Sequence, residues 1–380
     1  MTGRKTLEGT LVALGITGSI AAVEVVRLVH SLRRKGAEVQ AVMSQAAAGI
    51  IHPDAVTYAT GRPVITRCTG MVEHVAQCGE GGEARVLLIA PCTANTLSKI
   101  ACGIDDTPVT TFATTALGSG IPVLVAPAMH GSMYRHPAVQ ENLSRLSGWG
   151  VDVIGPRLEE GKAKMADPET IVLHTERAVL GKPLAGQRVL VTGGACAEPV
   201  DDVRILTTRS SGRMGREIAL QAYRLGAEVT LVHGGEEIPC VRNIRVSSAG
   251  DMGEAVLRIA RDEGIDIYVS AAAISDFAPE RRTGKIPSGK PVQLQLHPLP
   301  KLLDRVREAC RPRIIAFKVG DGGTQAARRK LAEGAELVVV NRPEAMGAEE
   351  GEFTILGKDT RIRVKGTKEE AAAALWDAVR

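Results

Sequence analysis

Aromatic residues are scarce: two Trp, four Tyr and four Phe make up 3% of 380 residues. That argues against the stacking platforms that hold single-stranded nucleic acid, which need aromatics on a basic face. A dominant charge is lacking too. Forty-seven Lys and Arg stand against 43 Asp and Glu, a net +4, and neither half departs from balance. Charge therefore makes no case for a nucleic-acid or membrane partner. No apolar run reaches the ~18 residues of a membrane span. The opening MTGRKTLEG has no apolar signal core, so the expected compartment is the cytoplasm. Seven cysteines, at 68, 78, 92, 102, 196, 240 and 310, are odd in number and never spaced C-x-x-C. A disulfide framework or structural zinc site is not expected, and reduced thiols are.

What is present is ordinary globular matter, 44% hydrophobic and 24% charged, with 41 glycines. At roughly 150 residues per domain the length suggests two. Two segments share one pattern. Residues 10–44 and 187–234 each open with a short apolar run, pass a Gly-containing turn and continue with helical periodicity. Each then meets Gly-Ala-Glu-Val (Gly36 to Val39, Gly226 to Val229) and another apolar run. In the second helix Met214, Ile218, Ala222 and Leu225 share a face. This is β-turn-α-β written twice. Further apolar runs at 86–90, 123–126, 267–273, 314–317 and 337–340 alternate with helical stretches. The expected fold is α/β: two doubly wound, Rossmann-like domains with mainly parallel sheets, at 1–182 and 183–380, closed by a helix over 368–380.

Ligands of such sheets bind beyond the carboxyl ends of the strands. In the first half those ends carry Gly15-Ile16-Thr17-Gly18-Ser19-Ile20, Ser44, Ala90-Pro91-Cys92-Thr93-Ala94-Asn95 and Ala126-Pro127-Ala128-Met129-His130. A glycine turn at a helix start offers N–H groups to phosphate, and each Pro is expected to stop strand pairing. The turn is not G-x-G-x-x-G, so the dinucleotide fingerprint is missing.

These segments resemble the flavin-dependent cysteine decarboxylases, and with the second half the bifunctional phosphopantothenoylcysteine decarboxylase/phosphopantothenate–cysteine ligase family of coenzyme A biosynthesis. The resemblance spans nearly the whole chain and implies a flavodoxin-like flavoprotein domain followed by a ligase domain. It implies that Gly18, Ser19, Ile20, Ser44, Thr93, Ala94 and Asn95 hold FMN, that His74 and His130 are catalytic, and that Met129, Lys162 and Lys164 meet the phosphopantothenoyl substrate. Two departures stand out. His130 replaces the family's Asn, and the clamp stretch 156–165 lacks the family's proton-donating Cys. Cys92, Cys102 and His130 are the candidate substitutes.

In the second half, Glu198-Pro199 leads through Asp201, Asp202 and Arg204 to Ser210-Ser211-Gly212, a turn suited to phosphate. Tyr223 and Tyr268 lack a Lys four residues on, which disfavours a nicotinamide dehydrogenase. By the resemblance Ser270, Ala271, Ala272, Asp276, Lys285, Phe317 and Lys330 surround CTP, with Asp276 at Mg²⁺ and Lys285 catalytic. Ser210, Ser211 and Gly212 would contact the phosphopantothenoyl group. Thr208 replaces a family Asn, Pro287 and Ser288 replace lysines of a Lys-x-Lys-Lys pattern, and a second CTP lysine near 333 is absent. Arg209 and Arg213 are the cations placed to compensate. The implied partners are 4′-phosphopantothenate, cysteine and CTP, with no nucleic acid or membrane. The implied assembly is a homo-oligomer with a trimer-based flavin domain and a dimerising ligase domain, up to a dodecamer. The alternative reading keeps only the ligase active, with the flavin domain an assembly module.

Overall fold

The computed structural model describes residues 4–320 and 323–379. The chain forms two compact units, Met1–Gly181 and Lys182–Arg380.

The first unit holds strands β1 (Leu11–Ile16), β2 (Glu38–Met43), β3 (Ala84–Cys92), β4 (Val123–Pro127), β5 (Met129–His130), β6 (Asp152–Val153), β7 (Arg157–Glu159) and β8 (Lys162–Lys164). Its main sheet runs β2-β1-β3-β4-β6, all parallel. Strand alternation feeds two cores. Val12, Leu14, Ile16, Val86, Leu88 and Ala90 enter one layer, while Ala13, Leu87 and Ile89 enter the other. Helices cover both faces, so the strands are apolar throughout. The order reverses at β1/β3, where flavodoxin-like sheets open their ligand crevice.

The second unit holds β9 (Arg188–Gly193), β10 (Ala197–Pro199), β11 (Ile205–Thr207), β12 (Glu228–His233), β13 (Arg242–Arg245), β14 (Ile267–Ser270), β15 (Phe277–Pro279), β16 (Leu296–Pro298), β17 (Arg313–Val319), β18 (Leu337–Asn341), β19 (Glu350–Leu356) and β20 (Arg361–Thr367). The large sheet runs β13-β12-β9-β14-β17-β18-β19-β20 and reverses at β9/β14. The last helix, Lys368–Val379, packs on helix Arg213–Arg224, and Trp376 Nε1 donates to the Ile218 carbonyl at 3.0 Å.

Several expectations need correction. The sheet is mainly parallel as expected, but its last two pairings, β18 with β19 and β19 with β20, are antiparallel. Neither β19 nor β20 is a continuous apolar run, and the signal of β20 was a period-2 pattern, with exposed Arg361, Arg363 and Lys365 between half-buried Ile362 and Val364. Pro91 does not stop β3. The register shifts between Ile89 and Cys92, and Cys92 pairs with Pro127 again. The proline sits where its missing donor leaves no ladder bond unmade. Strand β14 ends at Ser270, so Ala271 to Ala273 belong to the loop beyond it. The first Gly turn opens a 3-10 segment, Ile20–Glu24, before the α-helix Val25–Arg34. No helix among the described residues is long and apolar enough to cross a membrane.

Candidate functional sites

In the first unit, Thr17 knots the two strand ends at the switch point. Its Oγ1 donates to the Pro91 carbonyl at 2.7 Å and accepts from the Thr93 N–H at 3.0 Å. No role was expected of this residue. Gly18 follows, where an added Cβ would stand 2.5 Å from the Ala46 Cβ, so no larger residue fits without movement. Three hydroxyls ring this point as caps. Ser19 Oγ accepts from Ala21 N–H at 3.4 Å, Ser44 Oγ from Ala47 N–H at 3.2 Å, and Thr93 Oγ1 from Thr96 N–H at 3.2 Å. The Ser19 and Ser44 hydroxyls keep a proton to donate, while Thr93 Oγ1 donates its own to Thr96 Oγ1 at 3.2 Å. Ala94 is buried in the turn after Thr93, and Asn95 is exposed.

Beyond this turn a three-stranded β5-β8-β7 flap pairs Met129 with Ala163 and His130 with Lys162. Glu160 and Gly161 make its turn with φ of 51° and 71°, the left-handed pair that tight hairpins use. The flap and the Ser19–Glu24 segment enclose a pocket of 450 Å³. Ser19, Ile20, Met129, His130, Lys162 and Lys164 all line it, so the structure brings six predicted residues together. Ile20 is 77% exposed, an apolar surface offered to a ligand or a neighbour. Lys164 is bound at 3.1 Å to both Glu159 and Glu160, and these hydrogen bonds, Glu160 first, hold its ammonium above the usual lysine range. Lys162 has no such partner among the described residues. Ser132 Oγ lies 3.0 Å from His130 Nδ1, and Ser132 N–H donates to Nδ1 at 3.4 Å. Nδ1 is thus engaged, and Nε2 is the nitrogen left for a ligand.

Gly18, Ser44, Thr93, Ala94 and Asn95 do not line that pocket, but stand at or beside the knotted strand ends. His74 is absent from it as well. It lies on helix Glu73–Cys78, edge-on to Phe112 with ring centroids 6.5 Å apart, and its buried Nδ1 has no hydrogen-bond partner. Cys92 is fully buried and its thiol is pushed up to about 12 by that burial. Cys102 ends its helix on the surface. Of the three candidate proton donors, His130 lines the pocket and the two cysteines do not.

The second unit builds its site at the β9/β14 reversal. Helix Arg213–Arg224 approaches β9 through Gly215, whose Cβ would meet the Gly193 Cα at 2.8 Å. Its N-cap, Gly212, supplies no side-chain hydrogen bond. Ser210, Ser211, Gly212, Ala271, Ala272 and Phe317 line one pocket of 130 Å³. Asn341 and Lys368, which the sequence had not singled out, line it too. Their signal was only positional, at the end of one strand and the start of the last helix.

Ser270, Asp276, Lys285 and Lys330 do not line this pocket. Ser270 ends the strand leading into it. Asp276 precedes β15 and belongs to no group of three metal-binding side chains among the described residues. Lys285 is exposed on a loop gripped from both sides: Gly284 N–H donates to Asp202 at 2.8 Å and Ile286 N–H to Asp201 at 3.0 Å. Asp201 also accepts from Val203 and Arg204 N–H at 2.8 and 2.7 Å. These bonds, led by that from Ile286, hold its carboxyl well below the usual range. Asp201 and Asp202 therefore fix the lysine loop. Lys330, on helix Gly323–Ala332, has its ammonium lowered by burial and neighbours Lys301 and Arg307. Thr208 Oγ1 donates to the Ala273 carbonyl at 3.5 Å, and Arg209 is exposed. Arg213 lines the pocket and donates to the Gly347 carbonyl at 3.3 Å.

Residues 2–180 match the family described as Flavoprotein, and residues 184–380 match the DNA/pantothenate metabolism flavoprotein C-terminal domain. The coenzyme A biosynthesis bifunctional protein CoaBC of Thermococcus kodakarensis is 46% identical over 391 residues, covering 100% of this chain and 96% of its own. The protein of that name from Vibrio vulnificus is 34% identical over 348 residues, covering 86% and 85%. A crystal structure of the C-terminal domain of such a protein is 30% identical, with a TM-score of 0.43, and covers 52% of this chain and 95% of that one.

Proposed function

The chain belongs to the family of bifunctional coenzyme A biosynthesis proteins, and from that membership we propose how its two sites divide the chemistry. It is a bifunctional enzyme, a carboxy-lyase and an acid–amino-acid ligase on one chain. The observation that carries the site assignment is the meeting of Ser19, Ile20, Met129, His130 and Lys162 around one pocket beside a flavodoxin-type switch point.

The flavin is FMN. Its phosphate fits the knotted turn at Gly18, where the backbone is bare and the Ser19 and Ser44 hydroxyls can donate, with Thr93 turning from Thr96 to join them. Its ring fits the apolar Ile20 and Met129 wall. When bound, it accepts two electrons from the cysteinyl side chain of 4′-phosphopantothenoylcysteine, which makes loss of the carboxylate easy. Lys162, unpaired, receives the substrate's anionic end. After carbon dioxide leaves, the enethiol needs a proton and a hydride. His130 Nε2 gives the proton to the carbon that bore the carboxylate. The neighbouring carbon takes back the hydride, and the product is 4′-phosphopantetheine.

His74 is the base for the first oxidation. It does not line the pocket of its own chain, and it stands beside exposed Met71, Val72 and Val75. A trimer that seats this apolar segment against a neighbour's Ile20 and Val23 brings His74 to that neighbour's flavin. The exposed Val203, Ile205, Phe277 and Leu296 provide the corresponding pairing surface of the ligase unit.

In the ligase the carboxylate of 4′-phosphopantothenate attacks the α-phosphorus of CTP and pyrophosphate leaves. The amine of cysteine then displaces CMP. Ser210 to Gly212 and Ala271 to Phe317 cradle the reactants. Lys285 and Lys330 offset phosphate charge, and Asp276 offers one carboxylate to Mg²⁺, whose other ligands are phosphate oxygens and water. With free thiols throughout, we place the enzyme in the cytoplasm.

The test is the absorption spectrum of the purified chain, then its products from 4′-phosphopantothenate, cysteine, CTP and Mg²⁺. A yellow protein yielding carbon dioxide and 4′-phosphopantetheine supports both sites. One that stops at phosphopantothenoylcysteine reduces the flavin unit to an assembly module.

A further inference from the structure

Lys368 opens the last helix, 155 positions beyond the start of the helix whose turn it faces, and no motif led to it. It is only 7% exposed, yet it lines the 130 Å³ pocket beside Ser210, Ser211 and Gly212. Its ammonium enters no ion pair and no side-chain hydrogen bond among the described residues. Lysines are rarely buried without a partner, because the charge loses its hydration and gains nothing in return. Burial, then the nearby Arg213, pushes its ammonium below the usual lysine range, partly offset by Glu217.

A second observation bears on the same pocket. Helix Arg213–Arg224 is 12 residues long and begins at Gly212, in a left-handed conformation with φ of 73° and no side-chain cap. Among the described residues no cap side chain takes up its first-turn N–H groups, which with the positive end of its dipole favour an anion. A buried cation and a bare helix start on one pocket share a single complement, a phosphoryl group.

We propose that Lys368 is the buried phosphate-binding cation of the ligase site, closing on a phosphoryl group seated over Ser210-Ser211-Gly212. This rests on the ligase reading above and goes beyond it, for it supplies a cation where lysines at 287, 288 and near 333 are absent. Two substrates carry such a group: CTP through its triphosphate and 4′-phosphopantothenate through its 4′-phosphate.

The experiment uses the full chain with K368M, which keeps the apolar stem and removes the charge. In the ligand-free protein, removing an ammonium that has no ion pair leaves the Tm of the ligase unit unchanged or higher. Pyrophosphate, used as probe, raises that Tm in the wild type and loses most of this effect in K368M. The KM for one phosphorylated substrate rises at least tenfold, CTP if the triphosphate is held and 4′-phosphopantothenate if the 4′-phosphate is. The KM for cysteine stays within twofold, as does carbon dioxide release from supplied phosphopantothenoylcysteine. The proposal is overturned if K368M fails to fold, if pyrophosphate stabilises it as it does the wild type, or if all three ligase KM values move together. A wild type that ligates nothing with CTP removes the ligase reading itself.

Discussion

Both units begin from the same β-turn-α-β pattern, and they end in opposite kinds of site. In the first, the helical turns after β1, β2 and β3 are capped by the hydroxyls of Ser19, Ser44 and Thr93, and the flap's Lys164 is already paired with Glu159 and Glu160. In the second, the helix start at Gly212 has no side-chain cap and the buried Lys368 enters no ion pair or side-chain hydrogen bond among the described residues. The first arrangement shapes a pocket with apolar walls and a few aimed polar atoms, which suits a flat ring and a small acid. The second leaves donors and charge unsatisfied, which suits phosphates that arrive and leave within each turnover.

The strongest way to sharpen this contrast is His130→Asn. Stopped-flow mixing with phosphopantothenoylcysteine should show flavin bleaching and carbon dioxide release near wild-type rates, with recovery of the yellow colour slowed roughly 10³-fold. Equal slowing of bleaching and recovery would reduce His130 to substrate binding. Next, Gly18→Val should empty the first site alone. A Cβ 2.5 Å from Ala46 Cβ forces the turn apart, at a cost of about 1–3 kcal/mol. Flavin content should fall at least tenfold in desalted protein while ligase turnover holds. Gly215→Ala is the mirror change, with its Cβ 2.8 Å from the Gly193 Cα. Ligase kcat/KM should fall about tenfold, and flavin content should not change.

A smaller effect concerns the grip on the Lys285 loop. Asp201 is depressed when folded, so its contribution is complete above the unfolded carboxylate pKa of ~3.9 and is lost as pH falls through the lower folded value. Amide exchange at Val203, Arg204 and Ile286 should therefore accelerate in strong acid beyond the intrinsic trend. Asp201→Asn should exchange fast at every pH. The smallest readout is thiol alkylation of the native protein. Cys102 should label and Cys92, buried with its thiol near 12, should not. Rapid labelling of Cys92 would return it to the list of proton donors.

Much of this was legible before any coordinates. Apolar runs separated by helical periods give both parallel sheets, because strands covered on both faces must be apolar throughout. The Gly-Ala-Glu-Val junctions mark where helices stop. Strands β19 and β20 escaped because neither is a continuous apolar run: β19 mixes Glu and Thr with Phe and Ile, and edge strand β20 alternates Arg and Lys with Ile and Val. Site residues were readable where one motif sits on one strand end, as with Met129-His130 and Ser210-Ser211-Gly212. Thr17 escaped because its role is a bond to a strand 74 residues away. Lys368 escaped because nothing local distinguishes a buried lysine at a helix start from a solvated one. Its meaning lies in a pocket where no side chain among the described residues pairs with it.

The most direct measurement assays K368M and His130→Asn side by side, each with both half-reactions followed separately in the full chain. The account predicts a crossed result. K368M weakens CTP-dependent ligation at least tenfold and decarboxylates supplied phosphopantothenoylcysteine normally. The His130 variant ligates normally and stalls with its flavin reduced. Loss of both half-reactions in either variant, or unimpaired ligation by K368M, would contradict it.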